Sequence, residues 1–181
     1  MHASVFVITT DGSDAASLMR GRELPDGMGT VDWAAAGGRY SGCLWPKPGA
    51  TSAKVFGDAL PSFEAAVLGM IGESGTGVTA GRPGHQNLNG VDQLALRELH
   101  AAENMPGYLL TPDGIIHHAG LTPEENAAAV VEALGFTPPS ELQPELEAVD
   151  AKSAVWEQLV ARLLTTWAAK DAVLTVVDIH T

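Results

Sequence analysis

Hydrophobic and polar positions along this chain change period several times, and each change predicts an element. Residues 4–10 (SVFVITT) are β-branched and aromatic, the composition of a first strand. Asp11 and Gly12 end it, and Ser13 or Asp14 can cap a short helix over 15–24 (AASLMRGREL). Pro25, Gly27 and Gly29 make a loop. Residues 30–36 suit a strand, and Gly37-Gly38 suits a turn returning through 39–45 (RYSGCLW) as a hairpin. Pro46, Pro48 and Gly49 then break the pattern. After Pro61, Phe63, Val67, Met70 and Ile71 recur on one face of a helix over 61–74. Gly69 weakens that helix by about 1 kcal/mol relative to Ala. Residues 75–90 contain five Gly, one Pro and two Asn and predict a loop. A helix is expected over 91–104 (VDQLALRELHAAEN), with Leu94, Leu96, Leu99 and Ala102 as its apolar side and Asp92 suiting the dipole at its start.

Local signals agree best over 105–136. GYLLT predicts a strand, the TPDG at 111–114 a turn, and IIHHAG the returning strand. Thr122 with Glu125 then forms a capping box around Pro123, opening a helix that stops at Gly135. Residues 137–150 predict a connector, because Pro138, Pro139 and Pro144 oppose one continuous helix. It carries Glu141, Glu145, Glu147 and Asp150, a solvated acidic stretch. The strongest amphipathic helix covers 152–170. Trp156, Val160, Leu163 and Trp167 form its stripe, widened by Val155, Leu159 and Leu164. The chain closes with a near-continuous apolar run, 172–179, which suits a strand buried on both faces or paired with a partner. Alternating strands and helices predict an α/β or α+β fold, a layered mixed β-sheet with helices in a single compact domain. The main body would be 1–136 and the connector 137–150, with the terminal helix and strand, 151–181, packed on the same domain.

Composition narrows the function. Hydrophobic residues are 45% of 181, enough for a real core. The net charge is −12, of which 1–60 carries −1, 61–120 −4 and 121–181 −7. No basic run exists, which disfavours contact with nucleic-acid phosphates or an anionic membrane surface. No apolar run approaches the roughly 20 residues of a membrane span. The first residues lack the basic region of a signal peptide. A soluble, cytoplasmic protein is therefore expected. The Ala- and Gly-rich, Lys-poor composition fits a high-GC bacterium or one of its bacteriophages, and in the second case the location would be the virion.

Candidate chemistry is sparse. Cys43 is the single cysteine, so an intramolecular disulfide and a cysteine zinc cluster are both ruled out. Unless it is activated, it packs as a small hydrophobe. Of the six histidines, His117 and His118 would point to opposite faces of a strand, and His100 shares a helix face with Glu103. No HxxxH, HExxH or HxH spacing occurs, so no metal site is expected. Residues 75–90 lack the phosphate-loop pattern, and no G-x-S-x-G is present. No cofactor is expected.

Met105-Pro106, a short strand, the PDG turn, a strand ending HHAG and a capped helix together resemble the C-terminal half of a thioredoxin-like domain, over about 30 residues. The resemblance implies a cis-proline at Pro106. It also sets Cys43-Leu44-Trp45-Pro46 against that family's redox motif, with Cys43 as nucleophile. A dithiol cycle is impossible without a second cysteine. Two function classes follow. The first is a non-enzymatic binding or assembly protein, such as a bacteriophage virion or assembly component. It would act on a protein partner or as a homo-oligomer through Trp156, Val160, Leu163, Trp167 and Val176. The alternative is a one-cysteine thioredoxin-like redox enzyme using Cys43 and Pro106.

Overall fold

The computed structural model describes residues 2–56, 90–102, 105–122, 125 and 143–181. The expected helix over 61–74, the loop at 75–89 and the helix body after Glu125 lie outside the described residues.

Strand β1 (His2–Thr9) is followed by helix α1 (Ala15–Met19), β2 (Trp33–Ala36), a 3-10 turn (Gly38–Tyr40) and β3 (Leu44–Pro46). Then come β4 (Gln93–Ala95), a second 3-10 turn (Leu96–Glu98), β5 (Leu99–Ala102), β6 (Tyr108–Leu110) and β7 (Ile116–His118). The long helix α2 (Gln143–Ala168) and β8 (Val173–His180) complete the order. The main sheet runs β2-β8-β1-β6-β7, with β4 also on β8, while β3 and β5 form a separate pair. This is the mixed-sheet α/β class expected.

Strand β8 is internal. Its eight residues pair antiparallel with β1 from His2↔His180 to Thr9↔Val173. On its other side β2 takes 177–180 and β4 takes 173–175, end to end. The apolar run at 172–179 is thus covered within the chain. Because side chains alternate along strands, β1 and β8 build two cores. Val5, Val7, Val177 and Ile179 face Ala15, Ala16 and Met19 of α1, with Leu24 and Val31. Phe6, Ile8, Leu174 and Val176 face Leu94, Leu96, Cys43 and Leu44, with Trp156 and Val160 of α2. Each such side chain contributes roughly 1.5–3 kcal/mol by leaving water. Asp14 caps α1, accepting from the Ala16 and Ser17 amides.

Four expectations are corrected. Residues 91–102 are strand, 3-10 turn and strand, not helix: pairing with β8 and β3 outweighs the helix propensity of Leu, Ala, Arg and Glu. Gly37-Gly38 does not turn a hairpin, since β3 pairs with β5 and not β2. Residues 143–150 belong to helix α2 rather than to a connector. Val155 does not widen the buried stripe, being 67% exposed.

The hairpin is as expected, with Tyr108↔His118 and Leu110↔Ile116 in register. The Gly114 amide donates to the Thr111 carbonyl across the turn. The capping box also forms. The Thr122 amide donates to Glu125 Oε2 at 2.7 Å, and the Glu125 amide donates to Thr122 Oγ1 at 3.3 Å. Lys152 of α2 donates to Glu125 Oε2 at 2.6 Å and to the Gly120 carbonyl at 3.0 Å, tying the cap to the helix. Replacing Thr122 with Ala is expected to cost about 1 kcal/mol in urea unfolding; no change would show that the cap is dispensable.

Candidate functional site

Two fully buried carboxylates organise the polar interior. Asp92 precedes β4, and Asp178 sits within β8; both are 0% exposed. Asp92 Oδ1 accepts from Ser41 Oγ at 2.8 Å and the Gly42 amide at 2.6 Å, and its Oδ2 accepts from the Phe56 amide at 2.6 Å. Asp178 Oδ2 accepts from the Arg39 amide at 3.0 Å, and Oδ1 lies 2.9 Å from His2 Nδ1. Both grip the same six residues, Gly37 to Gly42. Two glycines permit this. A Cβ on Gly37 would lie 2.7 Å from Asp92 Oδ2, and one on Gly38 2.5 Å from Asp178 Cβ. Both also have positive φ. Buried charge is tolerable only when hydrogen-bonded, and here the donors come from the loop that the charge positions. Tyr40 lies in the same cluster. Burial, then the negative charge of Asp178, pushes its hydroxyl above the ordinary tyrosine range.

At the rim, the ring of His2 meets Trp33 at 5.8 Å and His180 at 5.0 Å, edge-on, and His180 Nδ1 lies 2.9 Å from Asp32 Oδ1. Among the described residues no group of three His, Cys, Asp or Glu converges to hold a metal ion.

A third polar staple holds residues 47–54. Glu98 accepts from the amides of Thr51 and Ser52 and from both their hydroxyls. Ser52 Oγ in turn accepts from the Ala95 amide at 2.6 Å. These donors, Ser52 foremost, hold the Glu98 carboxyl at about 2.

The residues singled out from sequence are dispersed. Cys43 is 2% exposed, inside an apolar cluster with Leu44, Leu94 and Trp156. The peptide bond before Pro106 is trans, there being no cis bond among the described residues. The Pro106 carbonyl instead accepts from Trp156 Nε1 at 2.8 Å. Trp156 (5%), Val160 (1%) and Val176 (0%) are core. Leu163 and Trp167 are half-buried against that core, with Lys170 Nζ 4.3 Å from the Trp167 ring centre. The His118 ring stacks near Tyr108 and accepts from the Gly120 amide. His100 is exposed on β5. Of residues 75–90, Gly90 is described; it lies so close to Gly42 that a Cβ would meet the Gly42 carbonyl.

One accessible feature among the described residues is a groove of about 280 Å³ beside β7, at the end of the main sheet. His118 and Ala119 form one wall, and Ala151, Lys152, Val155, Trp156 and Leu159 of α2 form the other. The sequence reading missed it by counting Val155 into the buried stripe. The sequence held one signal for Asp178, a single acid within an apolar run.

Compared with known proteins, the chain matches no family model, no curated protein and no solved structure.

Two outcomes test the carboxylates. Replacing Asp92 with Ala strands three donors and is expected to cost about 3 kcal/mol in denaturant unfolding; a loss under 1 kcal/mol would refute its organising role. For Glu98, the folded carboxyl is depressed to about 2 from 4.5. Its stabilising effect is therefore complete above pH 4.5 and lost as pH falls toward 2. Glu98→Gln should flatten the fall in melting temperature across that window, and an unchanged acid limb would count against the staple.

Proposed function

We propose that this chain is a binding or assembly protein that works through protein–protein contact at the groove between α2 and β7. The observation that carries the reading is Val155, 67% exposed over that groove beside half-buried Leu159. Ile115, at the entry to β7, is also 51% exposed. Contiguous exposed apolar surface is a common mark of a contact site, and Val155 adjoins Ala119, Ala151 and Leu159 along this groove. The site differs from the helix stripe expected from sequence, whose residues fill the core. The acids that could have suggested catalysis are engaged: Asp92, Asp178, Glu98 and Glu125 each accept two or more hydrogen bonds.

The test compares the native complex with a groove variant. In extract from its source, the chain is expected to migrate well above its 18.8 kDa mass, and Val155→Asp to return it to that mass without loss of fold. Migration of the unaltered chain at its own mass would overturn the reading.

A further inference from the structure

We propose that the crevice at the carboxyl ends of β1 and β6 binds the head group of a free α-amino acid, its carboxylate on Arg22 and its ammonium on Asp11. This site is separate from the groove beside α2 and does not depend on it.

Topology opens the crevice. Strands β1 and β6 are adjacent and parallel, with Val5↔Tyr108 and Val7↔Leu110 in register. Their carboxyl ends therefore lie at one edge of the sheet, and the chain leaves them in opposite directions. After β1 it passes through α1 and returns as β2, beyond β8. After β6 the turn at 111–114 leads to β7 on the other side. Where two outgoing connections diverge, neither fills the space between them, and α/β sheets take their ligands at such points. A cavity of about 100 Å³ lies here. Thr10, Asp11 and Ser13 line it from one connection, and Thr111, Pro112 and Gly114 from the other. Arg22 completes the wall. It also lines a neighbouring hollow of about 330 Å³, with Glu23, Pro25 and Ile116.

Charge selects the ligand. Arg22 Nε donates to the Leu18 carbonyl at 2.7 Å, and Nη1 donates to the Gly114 carbonyl at 3.0 Å. The guanidinium is thus held between α1 and the hairpin turn, and neither bond uses Nη2. Asp11 Oδ1 accepts from the Ser13 amide at 3.0 Å. Hydrogen bonds from the Ser13 hydroxyl and amide hold the Asp11 carboxyl below the usual carboxylate range, so it is charged at neutral pH. A cation and an anion therefore line one cavity, each tied to its own neighbours. Among the described residues neither joins an ion pair. Charges tethered apart do not collapse on each other, and a ligand that meets them pays little for rearrangement. A simple anion would meet Asp11 and Glu23 on a chain of net charge −12. A simple cation would meet the fixed Arg22. A zwitterion satisfies both, since charge-assisted hydrogen bonds form at each end. The hollow beyond Arg22, walled by Pro25 and Ile116, takes an aliphatic side chain, and Glu23 there repels an acidic one.

Isothermal titration of the purified full chain with L-alanine, L-leucine and L-lysine should show saturable binding in the millimolar range or tighter for at least one of them. For the tightest of the three, the amide and the N-acetyl derivative each remove one charge, and each should bind at least tenfold more weakly. Asp11→Asn keeps an acceptor for the Ser13 amide. It should weaken the free amino acid at least tenfold, with the circular dichroism spectrum unchanged, and narrow the gap to the N-acetyl derivative. Arg22→Gln should narrow the gap to the amide in the same way. Absence of binding by all three amino acids would overturn the proposal. So would equal affinity for the free amino acid and either derivative, a comparison that needs no variant to fold. Binding that Asp11→Asn leaves unchanged would place the ligand elsewhere and overturn it as well.

Discussion

Val176 lies at the centre of the sheet between two strands that do not quite meet. On one side β1 runs past it without interruption. On the other, β2 stops at Ala36 and β4 starts at Gln93, leaving the Val176 amide and carbonyl to be satisfied in some other way. A buried N–H or C=O without a partner costs as much as a lost hydrogen bond. The Val176 amide donates to the Asp92 carbonyl and its carbonyl accepts from the Gly37 amide, each at 2.8 Å. Gly37 and Asp92 are therefore pinned side by side, and much of the surrounding chain follows from that pinning. With the Asp92 backbone fixed there, its side chain is buried and must collect donors. The loop after β2 supplies two of them, Ser41 Oγ and the Gly42 amide, and the Phe56 amide supplies a third. Gly37 has to be glycine because the carboxylate occupies the space of its Cβ.

The same reasoning explains why buried polar chemistry is concentrated around the Gly37–Gly42 loop. Asp178 faces the α2 side of the sheet in line with Leu174 and Val176, where a lone acid would be costly. The Arg39 amide and His2 offset that cost. Cys43 follows the Gly37–Gly42 loop directly and is drawn into the core with Leu44. Its place is set by the anchoring of that loop.

The parts legible in the sequence were those fixed by neighbours a few residues away. The β6–β7 hairpin with its TPDG turn, the Thr122–Glu125 box and the Asp14 cap all depend on contacts within about ten positions. The amphipathic stripe of α2 was legible because its period states which face is buried. Residues 91–102 were misread because their composition favours a helix, and only the vacant edge of β8, some 80 positions away in sequence, makes 93–95 a strand. Gly37-Gly38 was misread because a glycine pair that turns a hairpin and one that admits a carboxylate look identical in one dimension. The groove was not legible: Val155 was assigned to the widened stripe, and only β7 placed beside α2 makes it a wall.

Helix α2 therefore serves two ends with adjacent residues. Trp156 fills the core and anchors to the Pro106 carbonyl, fixing the rotation of the helix about its own axis. Neighbouring positions on a helix differ by about 100°. Once Trp156 points inward, Val155 is turned toward the rim, and Ala151 and Leu159, four positions on either side, line up with it. Lys152, three positions before Val155 and four before Trp156, reaches the Gly120 carbonyl and the Glu125 cap. The helix thus cannot rotate to bury Val155 without breaking the Trp156 and Lys152 anchors together. An apolar side chain held outward by anchors on both sides is a fixed feature of the surface.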